Sequence, residues 1–313
     1  MKLHIGSATY AACFMSGLEA PTPWKAGRKT KGNEESAVKA KAQENEQQKN
    51  LVREQFTRTA EVFGDYAVSS RMHEAELLAK MVRAGAGDCV VDLACGPGTL
   101  ALRFARHVKW AYGLDLTPAI LERARNSAAA ESLGNLFFAI GDAQTLPFAD
   151  GALDIAVTSY SLHHMSDPAR VVAEMARVVK RGGRVGVIDI RMPEDSQVAD
   201  LNNRIERSRD ASHTRSLKRS EFDAMFMASG LRLFNSCVEE HPRAFDHWML
   251  VAGWRPGDRL YDETRAMMES SIADDSANFH PRYIDKNGRG TVPGASGDLY
   301  LTNTVQFLAA EKT

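Results

Sequence analysis

The chain has 313 residues, of which 44% are hydrophobic and 25% charged, and its formal net charge at pH 7 is −1. This composition is that of an ordinary globular protein and excludes collagen-like, low-complexity and disulfide-rich classes. Because the charge is close to zero, no basic surface is indicated that would hold a phosphate backbone, and we expect no nucleic-acid partner.

The cysteines indicate neither a metal centre nor a disulfide framework, because they are widely separated and form no CxxC pair. They are Cys13, Cys89, Cys95 and Cys237. A reducing, cytoplasmic location therefore fits best. No stretch approaches the ~20 apolar residues that are needed to cross a bilayer, so no membrane span is predicted.

Residues 1–50 are predicted to form a flexible extension. Residues 3–18 lack Asp, Glu, Lys and Arg, as the core of a signal peptide does, but residues 18–20 make a poor cleavage site. Between residues 33 and 50, Val38 is the only large apolar residue. Such a segment cannot bury enough apolar surface to offset its ordering entropy. We expect the folded domain to begin at residue 51 and to run to residue 313.

Apolar residues recur at helical spacing from Leu51 and stop before Gly85 and Gly87, which predicts N-terminal helices over residues 51–86. Strands are predicted over residues 89–93, 110–114, 136–140, 153–159, 185–190, 231–238 and 299–309. One helix is predicted after the glycine-rich turn that follows the first strand, and it ends at about residue 107. Further helices are predicted over residues 118–130, from 168 to the glycine pair at 182–183, over 220–228 and over 260–272. Successive βα units predict an α/β, Rossmann-like fold with a doubly wound, mostly parallel sheet, and ligands at the carboxyl ends of its strands.

Two helix starts are marked by residues that are typical of N-caps. Thr117 precedes Pro118, and Asp167 precedes Pro168. A proline in the first turn supports both assignments, because its missing N–H has no intrahelical partner there.

A glycine-rich turn follows the first strand. Gly96, Gly98 and Ala101 satisfy the spacing G-x-G-x-x-G/A of dinucleotide-binding turns, and Asp115 ends the second strand. Taken alone, this spacing is compatible with an NAD enzyme.

Two features of the same turn argue against NAD. Pro97 lies between the glycines and has no N–H to offer a pyrophosphate. Asp92 and Asp142 place further carboxylates at the ends of the first and third strands. Carboxylates would repel a diphosphate but would suit a cationic sulfonium ligand.

Together these residues resemble the class I S-adenosylmethionine-dependent methyltransferases, in particular the small-molecule subgroup that includes the ubiquinone/menaquinone C-methyltransferases. The resemblance covers about residues 50–235. It depends on residues 92–98, Asp115, residues 141–143, the Leu-Pro-Phe run at 146–148, Asp154 and residues 174–183. It implies a seven-stranded sheet, six strands parallel and one antiparallel, with S-adenosylmethionine bound by the core over residues 87–190.

The resemblance also implies individual roles. Asp115 would hold the ribose hydroxyls and Asp142 would contact the adenine amino group. The implied donor-binding residues are Asp92, Ala94, Cys95, Gly96, Gly98, Asp115, Leu116, Asp142, Ala143 and Ser159. Alternative roles stay open: a solvated strand end for Asp115, a helix cap for Asp142 and a brace of the glycine loop for Asp92. Many relatives have glycine where this chain has Ala94, and we expect a negative φ there because alanine fits poorly at positive φ.

The acceptor side is predicted from position. His163 and His164 follow the fourth strand, where a neutral imidazole could act as a general base, and either could instead be structural. His213 and Arg215 follow the fifth strand, and they either line the acceptor pocket or lie in a solvated turn. None of these residues has metal-ligand spacing, so no metal is expected.

Residues 191–220 and 239–298 are predicted to form substrate-side cap segments. The second segment is an insertion of about sixty residues before the last strand, and we interpret it as a helical lid. Trp248 and Trp254 would pack in this lid or in the core.

The predicted reaction is an in-line SN2 methyl transfer to a small molecule: a quinol, a phenol, a carbon acid or an amine. The quinone enzymes usually carry Phe-Gly-Leu-Arg-Asn-Val after the fourth strand, whereas residues 160–165 here read Tyr-Ser-Leu-His-His-Met. Two alternatives stay open, a binding module of the same fold without turnover and an RNA or protein methyltransferase. A homodimer is also left open.

Overall fold

The computed structural model describes residues 32–285, 290–291 and 297–313. The chain divides into two compact units, Met1–Ala42 and Gln43–Thr313. In the first unit, residues 32–42 are helical. The second unit holds the sheet and all the features discussed below.

The described residues contain ten helices and ten strands. The helices are α1 (Gly32–Arg58), α2 (Ala60–Ser70), α3 (Met72–Met81), α4 (Thr99–Ala105), α5 (Pro118–Ala130), α6 (Pro168–Val178), α7 (Ser196–Arg209), α8 (Arg219–Ala228), α9 (Phe245–Leu250) and α10 (Arg259–Ser270). The strands are β1 (Cys89–Leu93), β2 (Trp110–Asp115), β3 (Leu136–Ile140), β4 (Leu153–Ser159), β5 (Val179–Met192), β6 (Leu217–Lys218), β7 (Leu231–Ala244), β8 (Arg282–Ile284), β9 (Gly290–Thr291) and β10 (Asp298–Lys312). A single 3₁₀ turn, Leu162–His164, follows β4.

The main sheet has the order β3-β2-β1-β4-β5-β10-β7. The pairs among β1 to β5 are parallel, whereas β10 is antiparallel to both β5 and β7. Strand β7 therefore points the same way as β1 to β5, which confirms the predicted sheet of six parallel strands and one antiparallel strand. The short strands β6, β8 and β9 pair at its margins.

Two apolar clusters cover the two faces of the sheet. Val90 belongs to the cluster with α3 and α4, and its neighbour Val91 to the cluster with α6 and α8. Neighbouring residues fall in different clusters because successive side chains of a strand point to opposite faces. Both faces are buried, as parallel sheets require.

Several element boundaries differ from the prediction. Helix α6 ends at Val178, and the glycine pair expected to close it lies inside β5, where Gly182 has φ +71°. Asp167 caps α6 as predicted, accepting a hydrogen bond from the Arg170 N–H. Thr117 occupies the N-cap position of α5 but makes no side-chain cap hydrogen bond, and its own N–H donates to the Asp115 carboxylate.

The predicted flexible extension is wrong for residues 32–50, which form the first part of α1. This segment has few apolar residues, but it is composed mainly of Glu, Ala, Lys and Gln, which favour helix. Polar contacts hold its end: the Gln48 amide donates to the carbonyls of His164 (2.9 Å) and Ser212 (2.6 Å). The expected extension over residues 1–31, including the signal-like stretch, lies outside the described residues.

The segment before the last strand forms α9 and α10, which share an apolar cluster with α7. Trp248 is fully buried in this cluster and is a core residue. The Trp254 indole N–H donates to the Arg209 carbonyl (2.7 Å). Across the described residues, no helix has the length and apolarity of a membrane span.

Candidate active site

The candidate site lies at the carboxyl edge of the sheet, where the strand order reverses between β1 and β4. A cleft with about 890 Å³ of unfilled space, partly open to solvent, lies there. Its lining comes from α1, α2, the loop after β1 and the segments after β2, β3 and β4. We call it the first cavity.

The turn from β1 into α4 needs its glycines. Gly96 has φ +53° and Gly98 φ +88°, where a side chain is strained. A Cβ on Gly98 would also lie 3.1 Å from the Cβ of Ala124 and from the Phe138 ring. Gly96 lines the cavity, whereas Gly98 lies outside the lining and shapes the turn.

The expectation of a negative φ at Ala94 is wrong, because its φ is +50°. The left-handed region costs a residue with a Cβ about 1–2 kcal/mol. Ala94 lines the first cavity beside Cys95, so this strain lies where the backbone faces the cavity.

Replacing Ala94 by glycine should therefore stabilise the protein. We expect Ala94→Gly to raise the free energy of unfolding by about 0.5–1 kcal/mol, since the relieved strain exceeds the added entropy of the unfolded chain. Urea denaturation would measure it. Ala266→Gly, at an exposed position inside α10, is the matched control and should lower the same quantity by about 1 kcal/mol. A loss of stability in Ala94→Gly would contradict the strain.

Asp115 ends β2, is buried and lines the first cavity. Its Oδ2 accepts the Gly96 N–H (2.9 Å) and its Oδ1 accepts the Thr117 N–H (2.8 Å). Burial raises the pKa of this carboxyl, and the backbone hydrogen bonds oppose that rise. A carboxylate has about four lone-pair directions, so Asp115 holds the glycine loop in place and retains acceptor capacity toward the cavity.

Asp92 has the bracing role that the sequence left open. It is almost fully buried outside the cavity lining, and its Oδ2 accepts the Ala101 N–H (3.1 Å) in the first turn of α4. Its Oδ1 is buried without a hydrogen-bond partner in the described part of the chain. Burial, together with the nearby charge of Asp115, raises the pKa of Asp92 well above its usual range.

Asp142 does not cap a helix, since a short bridge to Thr145 follows it. Its carboxylate forms an ion pair with the Lys49 ammonium of α1 (2.7 Å) and accepts the Gln144 N–H (2.9 Å). Asp142 itself lies outside the cavity lining, whereas Lys49 and Ala143 are part of it. Leu116 and Ser159 also line the first cavity.

His164 lies where the first cavity meets a second one, and it lines both. Its Nδ1 donates to the Ser212 carbonyl (3.0 Å). Because a carbonyl can only accept, the proton is on Nδ1 and Nε2 keeps its lone pair. Burial, reinforced by the neighbouring His163, lowers the pKa of His164 to about 4. The side chain is therefore neutral at pH 7.

His163 lines only the second cavity. Its Nδ1 lies 2.5 Å from Oδ1 of the buried Asp189. Asp189 also accepts the backbone N–H groups of Leu162 and Ile190. His163 is thus fixed by a carboxylate on β5, while His164 is the histidine shared with the first cavity.

The two residues predicted after the fifth strand have separate positions. His213 is buried on the second cavity, and its Nε2 donates to the Asn203 side-chain oxygen (2.9 Å). Burial lowers the pKa of His213 well below its usual range. Arg215 lies outside both cavities in an exposed ion pair with Glu221 (2.6 Å), a position that agrees with the solvated turn that the sequence left open.

The second cavity has about 570 Å³ of unfilled space, and most of its polar lining was not predicted. Its unpredicted residues are Gln55, Phe56, Phe63, Arg71, Tyr160, Ile190, Glu206, Arg209, Asp210, Arg243 and Val251. Tyr160 has φ +49° and directly follows β4. Because ligands bind at the carboxyl ends of such strands, its position in the sequence could have marked it as a site residue. Arg71 lies between α2 and α3, and Glu206 lies in α7; no local pattern marks either residue.

Known proteins are similar to the part of the chain that contains the glycine loop and the His163–His164 pair. The sequence profile described as "Methyltransferase domain" matches residues 90–183. The uncharacterized methyltransferase YcgJ of Bacillus subtilis is 34% identical over 204 residues, which cover 65% of this chain and 80% of YcgJ. The chain belongs to the S-adenosylmethionine-dependent methyltransferases.

Two further comparisons agree with this assignment. The crystal structure of YcgJ superposes on this methyltransferase with a TM-score of 0.64 and 29% identity, covering 75% of this chain and 97% of that one. A 2-phytyl-1,4-naphtoquinone methyltransferase of Trichormus variabilis is 32% identical over 156 residues, which cover 47% of this chain and 68% of the relative.

The profile match contains the glycine loop, Asp115, Asp142 and both residues of the His163–His164 pair. In this methyltransferase, Glu206, Arg209 and Arg243 lie beyond the match, and all three line the second cavity. The first cavity is thus built largely from the shared domain, whereas the second takes charged residues from the part of the chain after it.

Proposed function

We propose that this methyltransferase transfers the methyl group of S-adenosylmethionine to a small-molecule acceptor, with the donor in the first cavity and the acceptor in the second. The observation that carries the proposal is the position of His164, which lines both cavities. A methyl group passes directly from donor to acceptor, so the two molecules must meet at one point.

The first cavity fits the donor chemically. Asp115 offers carboxylate oxygens to ribose hydroxyls at the end of β2, and Leu116 and Ile120 provide apolar surface for a base. The Gly96 backbone, without a Cβ, leaves room along the loop. Asp142 can take an adenine amino group only by sharing its carboxylate with Lys49.

His164 is placed to serve as the general base. When bound, the donor supplies an electrophilic methyl group. A carbon acid, phenol or amine must lose a proton as it gains that methyl, and the neutral Nε2 of His164 can accept it. The loops at the carboxyl edge hold the reacting atoms in line, and such orientation can supply about 7–11 kcal/mol.

The proposal is tested by binding and turnover on the full chain. Calorimetric titration with S-adenosylhomocysteine should give one site per chain, and S-adenosylmethionine should compete for it. Incubation with methyl-labelled donor and a panel of quinols, phenols, carbon acids and amines should label at least one acceptor.

Each failure has its own meaning. Absence of S-adenosylhomocysteine binding would contradict the assignment of the first cavity. Binding with no labelled product across the panel would favour a ligand-binding module of the same fold.

A further inference from the structure

The second cavity carries more positive charge than its own carboxylates neutralise. Arg71, Arg209 and Arg243 line it, together with the acids Glu206 and Asp210. The three cations outnumber the two anions by one. The contacts of each arginine show which of them lack a paired carboxylate.

Arg209, Glu206 and Asp210 each have a hydrogen-bond partner next to the second cavity. Arg209 donates to Glu206 through Nη2 (2.8 Å) and Nε (3.1 Å). The Asp210 carboxylate accepts the N–H and hydroxyl of Ser212. Burial would raise the pKa of Asp210, but the charge of Arg209 and these hydrogen bonds lower it. Both bonds from Arg209 end on Oε2 of Glu206, and the charge of Glu206 also acts on Arg243, so the two acids balance two of the three positive charges.

Among the described residues, the guanidinium groups of Arg71 and Arg243 lie against aromatic rings. The Arg71 guanidinium lies 3.8 Å from the Tyr160 ring centroid and 5.5 Å from that of Tyr66, and the Arg243 guanidinium lies 5.1 Å from Tyr66. Neither forms an ion pair within the described residues, and the Arg243 Nε is buried there without a hydrogen-bond partner. Burial lowers the pKa of Arg243; Arg209 and Arg71 add to this effect, whereas Tyr66 and the Glu206 carboxylate oppose it.

A buried guanidinium without a counter-charge is costly, and the cost is recovered when a ligand brings an anion. The planar fork of arginine N–H groups matches the oxygens of a carboxylate or a phosphate. Both arginines line the cavity that we assign to the acceptor, and Arg71 also lines the first cavity.

We propose that the acceptor carries an anionic group, a carboxylate or a phosphate, which Arg71 and Arg243 bind in the second cavity. This inference rests on the proposed function, because it gives the chemistry of that acceptor. The aromatic rings of Tyr66 and Tyr160 hold the guanidinium planes in position, so the arginines are oriented before the ligand arrives.

The test measures probe binding to the full chain saturated with S-adenosylhomocysteine. 4-Hydroxybenzoate is compared with 4-hydroxybenzamide for a carboxylate, and phenyl phosphate with phenol for a phosphate. At least one anion should bind about tenfold or more tightly than its neutral partner, since a charged hydrogen-bonded pair contributes about 1.5–3 kcal/mol. The preferred anion identifies the group.

Variants locate the site. Arg243→Gln and Arg71→Gln should each weaken binding of the preferred anion about tenfold or more, whereas Arg259→Gln, an exposed arginine of α10, should not. Arg243→Lys should bind the anion with intermediate affinity, and it replaces the glutamine variant if that one fails to fold. An unchanged Kd for S-adenosylhomocysteine in the Arg243 variants shows that the first cavity is intact.

The contrary results are distinct. If S-adenosylhomocysteine binds but neither anion is preferred over its neutral partner, the anion site is wrong and the proposed function stands. An anion preference that survives both glutamine substitutions would equally overturn this site. Failure of S-adenosylhomocysteine to bind would contradict the proposed function itself.

Discussion

Asp115→Ala should weaken the binding of S-adenosylhomocysteine by at least ~1.5 kcal/mol, which is more than tenfold in Kd. The substitution removes the acceptor that we propose for the two ribose hydroxyls. It also removes the contacts from Oδ2 to the Gly96 N–H and from Oδ1 to the Thr117 N–H. The glycine loop therefore loses its anchor at the same time as the ligand loses a partner. Calorimetric titration of the two proteins measures the difference directly.

Two companion variants separate these contributions. Asp115→Asn keeps one carbonyl oxygen and the side-chain shape, so its Kd should fall between those of the wild type and Asp115→Ala. Asp223→Ala, an exposed aspartate of α8, should leave the Kd unchanged. Identical titration curves for the wild type and Asp115→Ala would remove Asp115 from the donor site.

The glycine loop and its acidic neighbour could be predicted because both are local. The fingerprint occupies residues 92–101, and Asp115 follows from the end of one strand. Parallel pairing then brings β1 and β2 side by side, since each successive βα unit adds a neighbouring strand. The role of Asp92 was undecided because its hydrogen bond to Ala101 depends on which way one side chain turns.

The charged residues of the second cavity could not be predicted in the same way. Arg243 stands one residue before the carboxyl end of β7, at the edge where ligands bind. The prediction ended that strand at Val238, so Arg243 was placed in the insertion and not at this edge. The extra residues of β7 have no clear alternation of their own, and they pair with the N-terminal half of β10.

The N-terminal helix was missed because its contacts are polar. Residues 33–50 lack an apolar stripe, which is the usual signal for a docked helix. Gln48 and Lys49 instead contact backbone carbonyls and the Asp142 carboxylate, about a hundred residues or more away in the chain. A pattern that counts apolar residues cannot detect such contacts.

His164→Ala should lower the turnover number by about 10²–10⁴-fold, the usual contribution of a general base. The donor Kd should change far less, because the first cavity, which we propose for the donor, also takes lining residues from the ends of β1, β2 and β3. The measurement uses an acceptor that has been verified by transfer of labelled methyl. His107→Ala, at an exposed histidine after α4, is the matched control and should keep full turnover.

Exogenous imidazole distinguishes a missing base from a disturbed pocket. It should restore part of the activity of His164→Ala, because the vacated space adjoins both cavities. Full turnover of His164→Ala without any addition would show that His164 is structural. Orientation by the carboxyl-edge loops would then account for the catalysis without a base.

The pH dependence of the wild-type rate provides an independent test of His164. Its pKa of about 4 in the folded protein lies below the ordinary value of 6.5, so the imidazole stays neutral from about pH 5 upward. We expect the contribution of His164 to the rate to be constant between about pH 5 and 8 and to fall as the pH approaches 4. The depressed pKa also means that the contribution of neutral His164 to stability is complete above 6.5 and is lost as the pH falls through 4. Rates must therefore be measured with a parallel record of unfolding. A rate that already falls near pH 6.5, while the protein is fully folded, would show that burial does not lower the pKa of His164.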